Sequence, residues 1–198
     1  MLLLHLSDTH GKHKLLKNLP EADVIIHSGD VCFSGTEREV MDFMKWFFAL
    51  PFRYKIFIAG NHDNCLHEAN IEGLPDGCHY LCNSGIEIEN VRFYGLPLFM
   101  EDITSRNYDK NIQKIPADTD VLISHQPPLG ILDLDGKTHY GDKFLLEKAV
   151  EIQARFHLFG HIHASYGTER SGNTIFVNAS VLNENYELTN RPVLLEYL

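Results

Sequence analysis

Short apolar runs recur along the chain at a length that suits strands rather than helices, and their order sets out the fold. Runs near residues 2–6, 23–27, 54–59, 92–95, 121–124, 157–159, 174–177 and 193–196 predict β-strands, and the continuous ones, such as LLLHL, read as strands buried on both faces. Between some of them the period changes to that of a helix. Thr36 stands as a cap with Glu39 three residues on, and EREVMDFMKWFFAL then places Val40, Phe43, Met44 and Phe47 on one face until Pro51 stops it. Asp142 opens a second helix, DKFLLEKAVEIQARF, with Leu145, Ala149 and Ile152 at helical spacing. The segment after Met100, EDITSRNYDKNIQKIP, predicts a short helix within a mobile loop.

Strands alternating with helices in the first part imply βαβ crossovers, whereas VRFYGLPLF, TIFVNAS and RPVLLEYL read as strands in succession. An α/β fold with mixed sheets is therefore expected. The chain has 198 residues, 44% of them hydrophobic, and no repeat or Pro/Gly-rich linker, so residues 1–198 are expected to form a single domain.

The chemistry lies where the strands end. LLLHLSDTH, ADVIIHSGD, YKIFIAGNHD, TDVLISH and FHLFGHIH each stop at residues of metal-binding type. Residues just past the ends of buried strands emerge on one rim of a sheet, so Asp8, His10, Asp30, Asn61, His62, His125, His161 and His163 are expected to converge. Their imidazole nitrogens and carboxylate oxygens suit divalent transition metals, and they outnumber what one ion needs. A single Asp-x-His is a weak signal, because both residues also cap helices and end strands. Five such endings in one chain are a strong one.

Charge and cysteine usage narrow the partners. A formal net charge of -10 argues against extended duplex nucleic acid and leaves a small phosphate ester or nucleotide, attracted locally by metal, as the expected substrate. Cys32, Cys65, Cys78 and Cys82 form no CxxC pair and are expected as reduced thiols in a cytoplasmic protein. The leading LLLHL is too short for a signal peptide and no run is long enough to span a bilayer, so no membrane association is expected. The sequence carries no reading of oligomeric state.

The ordered set DxH, GD, GNHD, H and GHxH, running from Asp8 to His163, resembles the calcineurin-like metallophosphoesterase superfamily. SDTHG, IAGNHD, LISHxPPLGILD, FGHIH and NAS are similar in texture to its small single-domain metallophosphoesterase-domain subgroup, which includes cyclic nucleotide phosphodiesterase-like proteins. The resemblance implies a four-layer αββα sandwich of two mixed sheets with helices outside. It also implies a first metal on Asp8, His10, Asp30 and His163 and a second on Asp30, Asn61, His125 and His161, with Asp30 bridging. A carboxylate can span ions ~3.5–4 Å apart, which a neutral imidazole cannot do. Asn61 is a neutral ligand, so the pair would stay electropositive.

The activity implied is dinuclear metal-dependent hydrolysis of phosphodiesters, with cyclic nucleotides or small nucleotide esters as substrates, by attack of a metal-bridging hydroxide. His62 would then donate a proton to the leaving group or stabilise its charge, and Asp63 would support that histidine or its loop. N/O ligands suit manganese, iron, zinc and nickel about equally; Mn2+ or an Fe/Zn pair is the expectation, with Ni2+ and Co2+ as alternatives. Protein Ser/Thr phosphatases continue the second motif as GDxxDRG, whereas this chain reads GDVCFSG; Phe33 and Ser34 replace the Asp that orients the catalytic histidine and the Arg that binds phosphate. A phosphoprotein phosphatase is thereby disfavoured, and His62 is left without an orienting partner. A phosphomonoesterase on the same site and a non-catalytic metal-binding scaffold are the alternatives.

The other candidates have plainer readings. His5 and His27 fall inside strands and are expected in the core, while His13, His67 and His79 are expected at the surface or in loops. His139 and Arg106 are expected as solvated groups near the metal mouth, Asn178 as a turn-fixing side chain, and Cys32 and Cys65 as small buried thiols.

Overall fold

The computed structural model describes residues 1–198. In chain order the strands are β1 (Leu2–Leu6), β2 (Val24–His27), β3 (Tyr54–Phe57), β4 (Cys78–Tyr80), β5 (Ser84–Ile88), β6 (Val91–Leu96), β7 (Val121–Ser124), β8 (Leu134–Asp135), β9 (Thr138–His139), β10 (Phe156–Phe159), β11 (Gly167–Ser171), β12 (Thr174–Asn178) and β13 (Val193–Glu196). The helices are α1 (Glu37–Phe48), α2 (Met100–Ser105), α3 (Asn107–Gln113) and α4 (Lys143–Ile152). One sheet has the order β13-β1-β2-β3-β4 and the other β11-β12-β10-β7-β6-β5, and β8 and β9 form a separate hairpin. In the first sheet β1 to β4 run parallel and β13 is antiparallel; in the second, β6, β7, β10 and β12 run parallel between antiparallel edges β5 and β11. Both sheets are mixed, as expected, and their parallel centres send the metal-type residues to one rim.

Three packed layers hold the sheets. Between them Leu3, Val24, Ile26 and Ile56 meet Phe93, Val121, Ile123, Phe156 and Val177. On one outer face Ile25 and Phe57 meet Val40, Phe43 and Phe47 of α1. On the other, Tyr94, Leu96 and Leu122 meet Tyr108, Ile112, Leu145 and Ile152 from α3 and α4. This is the αββα sandwich, and it explains why the parallel strands show no polar alternation: successive residues of β2 enter different apolar layers. At the rim the two sheets are stitched directly, because Ser7 donates its N–H to the Ala179 carbonyl at 3.0 Å and accepts from Val181 N–H at 3.1 Å.

The capping box of α1 forms as its sequence predicts, Glu39 N–H donating to Thr36 Oγ1 at 3.3 Å and Thr36 N–H to Glu39 Oε2 at 3.1 Å. Glu39 also accepts from the N–H groups of Phe33 and Ser34, both at 3.0 Å, so the cap secures the loop that precedes the helix. Asp142 caps α4 through Leu145 N–H at 2.8 Å. The segment after Met100 is more ordered than a mobile loop: α2 and α3 meet at Arg106, and Tyr108, Ile112 and Ile115 are buried in the outer core. His13 is a further correction. It is buried against Phe43 and Trp46 with Nε2 3.3 Å from Asp42, because the 3-10 turn after His10 folds back onto α1.

His5 and His27 are core residues, and His157 joins them. Each turns Nε2 to a hydroxyl: His5 to Ser28 at 2.8 Å, His27 to Thr9 at 3.0 Å and His157 to Ser124 at 2.8 Å. Burial pushes all three down to about 3. An unfolded imidazole titrates near ~6.5, so between these values the unfolded chain binds more protons and stability falls as the pH drops. His157→Gln keeps a donor to Ser124 and removes one of these sites. The stability advantage of the wild type over this variant should shrink by roughly 3 kcal/mol between pH 7 and pH 4, read from urea unfolding at each pH. A difference that does not change with pH would contradict the buried neutral histidine.

Candidate metal centre

The strand ends are bent sharply to bring their side chains inward. Asp8 (φ 55), His10 (φ 41), Asp30 (φ 57) and His161 (φ 68) all adopt left-handed backbone, a concentration of strain that the surrounding rim must enforce. Glycines make the room. A Cβ on Gly60 would overlap Asp30 Oδ1, and one on Gly160 would overlap Asp8 Oδ2, so no other residue fits at either place without displacing a carboxylate.

All the rim residues named from the sequence come together. Asp8, His10 and His163 form one group, His10, Asp30 and His62 a second, and Asp30, His125 and His161 a third, with the candidate ligand atoms of each group within 4.8 Å of one another. Asp30 Oδ2 lies 3.6 Å from His10 Nε2 and 3.3 Å from His125 Nε2. His163 Nε2 is 3.5 Å from Asp8 Oδ1, and Asn61 Oδ1 is 3.1 Å from His125 Nε2. Asp30 thus stands between the two sets.

Main-chain carbonyls fix the tautomers. Nδ1 of His10 lies 3.0 Å from the Cys32 carbonyl, that of His125 2.9 Å from Ser28, that of His163 3.0 Å from Asn183 and that of His62 2.9 Å from Phe33. A carbonyl only accepts, so each Nδ1 carries a proton, and wherever the ring is neutral its lone pair lies at Nε2. Nε2 of His10 and Nε2 of His163 then face each other at 3.3 Å; burial lowers His10, whereas burial of His163 is overridden by Asp8, which raises it, so positive charge is favoured between these rings. A proton or a metal cation can satisfy the two nitrogens, and with Asp8 and Asp30 beside them the donor set fits a metal. Burial opposes charge on His125, but Asp30 overrides it and raises His125 to about 9; reciprocally, Asp30 is held at about 2 against its own burial. Burial, then the neighbouring His125 charge, pushes His161 down to about 4, leaving it a neutral donor.

The supports behind these groups are specific. Asp8 accepts the His161 N–H at 3.0 Å and the Ser180 hydroxyl at 2.6 Å. Asp63 is buried behind the rim and accepts N–H groups from Gly60 at 2.8 Å, Val31 at 3.2 Å and Cys32 at 2.8 Å; burial and the Asp30 charge push it up to about 6. The Phe33 carbonyl occupies the orienting role toward His62 for which the side-chain sequence offers no candidate. Asn178 fixes its turn, donating to Ile162 O at 2.9 Å and accepting from Ser180 N–H at 3.1 Å. His139 is turned away, paired through Nδ1 with buried Asp133 at 2.6 Å, and neither it nor Arg106 lines the rim cavity. Burial raises the Cys32 and Cys65 thiols, in keeping with packing residues.

That cavity, about 310 Å³, is also lined by Asp135, Tyr140, Glu184 and Tyr186, which sequence reasoning missed. They sit on the β8–β9 hairpin and on the loop NENYELTN, stretches with no hydrophobic period and no metal-type motif. No signal in one sequence marks them.

The profile of the Calcineurin-like phosphoesterase family matches residues 1–165. Over 218 residues the chain is 33% identical to a UPF0046 protein of Caenorhabditis elegans, covering 96% of this chain and 72% of that one. It is also 33% identical over 225 residues to metallophosphoesterase domain-containing protein 1 of Homo sapiens, covering 96% and 69% of the two chains. Among solved structures, TT1561 of Thermus thermophilus has the same fold at a TM-score of 0.62 and 14% identity, covering 90% of this chain and 88% of that one. The strand-end motifs, the converging His/Asp rim and the profile match have one reading: this chain belongs to the calcineurin-like phosphoesterase family.

Proposed function

We propose that this protein is a metal-dependent phosphodiesterase whose two divalent ions share Asp30. The observation that carries this reading is the place of Asp30 between two ligand groups, its Oδ2 3.6 Å from His10 Nε2 and 3.3 Å from His125 Nε2, with the Nδ1 of each histidine committed to a carbonyl. Asp8, His10, Asp30 and His163 would hold one ion, and Asp30, Asn61, His125 and His161 the other. Bound divalent cations, of the Mn2+ or Fe/Zn class, supply Lewis acidity toward phosphate oxygens and lower the pKa of water. With only two carboxylates among these ligands, the centre keeps the positive charge that attracts an anionic ester.

The chain's own groups do the rest. His62 is half-buried at the cavity, with Nδ1–H given to Phe33, so protonation at Nε2 yields a donor aimed by the backbone rather than by an acidic side chain. In that form it would pass a proton to the leaving oxygen. Asp63 acts through its neighbours, holding the Gly60 and Val31–Cys32 backbones that position Asn61, His62 and Asp30. Diesters are favoured over monoesters by the charge of the mouth. No Lys or Arg lines the cavity, and Asp135 and Glu184 do. A monoester carries close to two negative charges at neutral pH, its second pKa being near ~6, whereas a diester carries one. Small nucleotide diesters, cyclic ones among them, meet this condition.

Metal-stripped protein reloaded with single ions should hydrolyse bis-p-nitrophenyl phosphate only when loaded, and faster than p-nitrophenyl phosphate. Asp30→Asn should lower kcat/KM by at least ~100-fold, since it weakens both sites at once. Full turnover in the presence of chelator would contradict the reading. For His62→Ala the loss should depend on the leaving group. About 10-fold is expected for p-nitrophenolate and ~10²-fold or more for an alkoxide that needs a proton. Equal losses across a series of leaving groups would remove His62 as the proton donor.

A further inference from the structure

Two tyrosines, Tyr140 and Tyr186, line the cavity, and the exposed ring of Phe33 packs beside Tyr186 just outside that lining. Phe33 is 56% exposed although its backbone task, accepting from His62, needs no ring. Its ring lies 5.7 Å from that of Tyr186 at 74°, and Tyr186 lies 5.0 Å from His10 and 5.2 Å from His163. Tyr140, 50% exposed, lines the cavity from the β8–β9 hairpin.

Tyr186 is also held firmly in place. Its φ of 58 is maintained by Asn183, whose Oδ1 accepts the N–H groups of Asn185 and Glu187 at 2.9 Å each, while Lys12 Nζ donates to the Tyr186 carbonyl. The Asn183 carbonyl accepts from His163 Nδ1–H, so the loop that carries the tyrosine is in register with a candidate ligand. Phe33 is tied in the same way to His62, 6.4 Å between ring centroids. Tyr186 on the cavity lining and Phe33 beside it are therefore fixed relative to the candidate ligands, Tyr186 next to His10 and His163 and Phe33 next to His62.

Resting on the phosphodiesterase reading above, we propose that Phe33 and Tyr186 form a subsite for a flat, uncharged ring carried by the ester, an aryl group or a nucleobase. Ring faces and edges bind such a group by offset or edge-on contact and by area removed from water. Asp135 and Glu184 on the same cavity disfavour a substituent that brings further negative charge. The ligand class is a small diester with one planar neutral substituent beside His62.

Two non-hydrolysable monoanions separate the ring from the phosphoryl group: the monophenyl and monomethyl esters of methylphosphonate, titrated calorimetrically into metal-loaded protein. The phenyl ester should bind about 10-fold more tightly. Phe33→Leu/Tyr186→Leu should reduce that ratio to ~2-fold or less, and Tyr186→Phe should retain it. Equal Kd values for the two esters in the wild type, or an undiminished ratio in the double variant, would overturn the subsite. Turnover of bis-p-nitrophenyl phosphate, measured on the same samples, separates the two readings. Hydrolysis without a phenyl advantage removes the subsite alone, while absence of both hydrolysis and phosphonate binding removes the phosphodiesterase reading and the subsite with it.

Discussion

The loop from Ser28 to Phe33 is the constraint on which the rest of the site depends. Its carbonyls at Ser28, Cys32 and Phe33 accept the Nδ1–H groups of His125, His10 and His62, and its one carboxylate, Asp30, lies between the two ligand groups. Three imidazoles from separate parts of the chain are thus aimed by one short stretch of backbone. That stretch is itself held from below by Asp63, through Val31 and Cys32 N–H, and from the side by Glu39, through Phe33 and Ser34 N–H. Main-chain aiming costs little conformational entropy, because the carbonyls belong to a loop already anchored by a buried carboxylate and a helix cap.

The sandwich exists, in functional terms, to hold that loop against the second sheet. Gly160 and Gly60 let backbone approach Asp8 and Asp30, and the Ser7 bonds to Ala179 and Val181 join the sheets at the same rim. The left-handed conformations of Asp8, His10, Asp30 and His161 are held between these contacts. Strain of this kind persists where neighbours over-determine the backbone, and it places donors in a geometry that loose loops do not keep.

Much of this was legible in the residues because strand endings and caps have local chemical signatures. The apolar runs, the Thr36–Glu39 box, the Asp142 cap and the mixed α/β character follow from pattern, the αββα arrangement from the family resemblance, and the DxH-to-GHxH residues do meet on one rim. What escaped has a physical reason in each case. The edge strands β5 and β11 are largely exposed and carry no apolar run. His13 has the local sequence of a polar turn, yet the turn packs it onto Trp46. The partner of His62 is a carbonyl, which every residue possesses, so no side-chain motif announces it. Tyr186 and Glu184 sit in a loop whose shape depends on Asn183 bonding within it, a feature without periodicity.

The central claim is that the Nε2 atoms gathered at this rim, with Asp8 and Asp30, hold a pair of cations. Anomalous X-ray diffraction from crystals saturated with Mn2+ tests it most directly. The account predicts two peaks joined by Asp30, one beside His10 and His163 and the other beside His125 and His161. A single peak at saturation, or none with His10 Nε2 and His163 Nε2 turned apart, would contradict it.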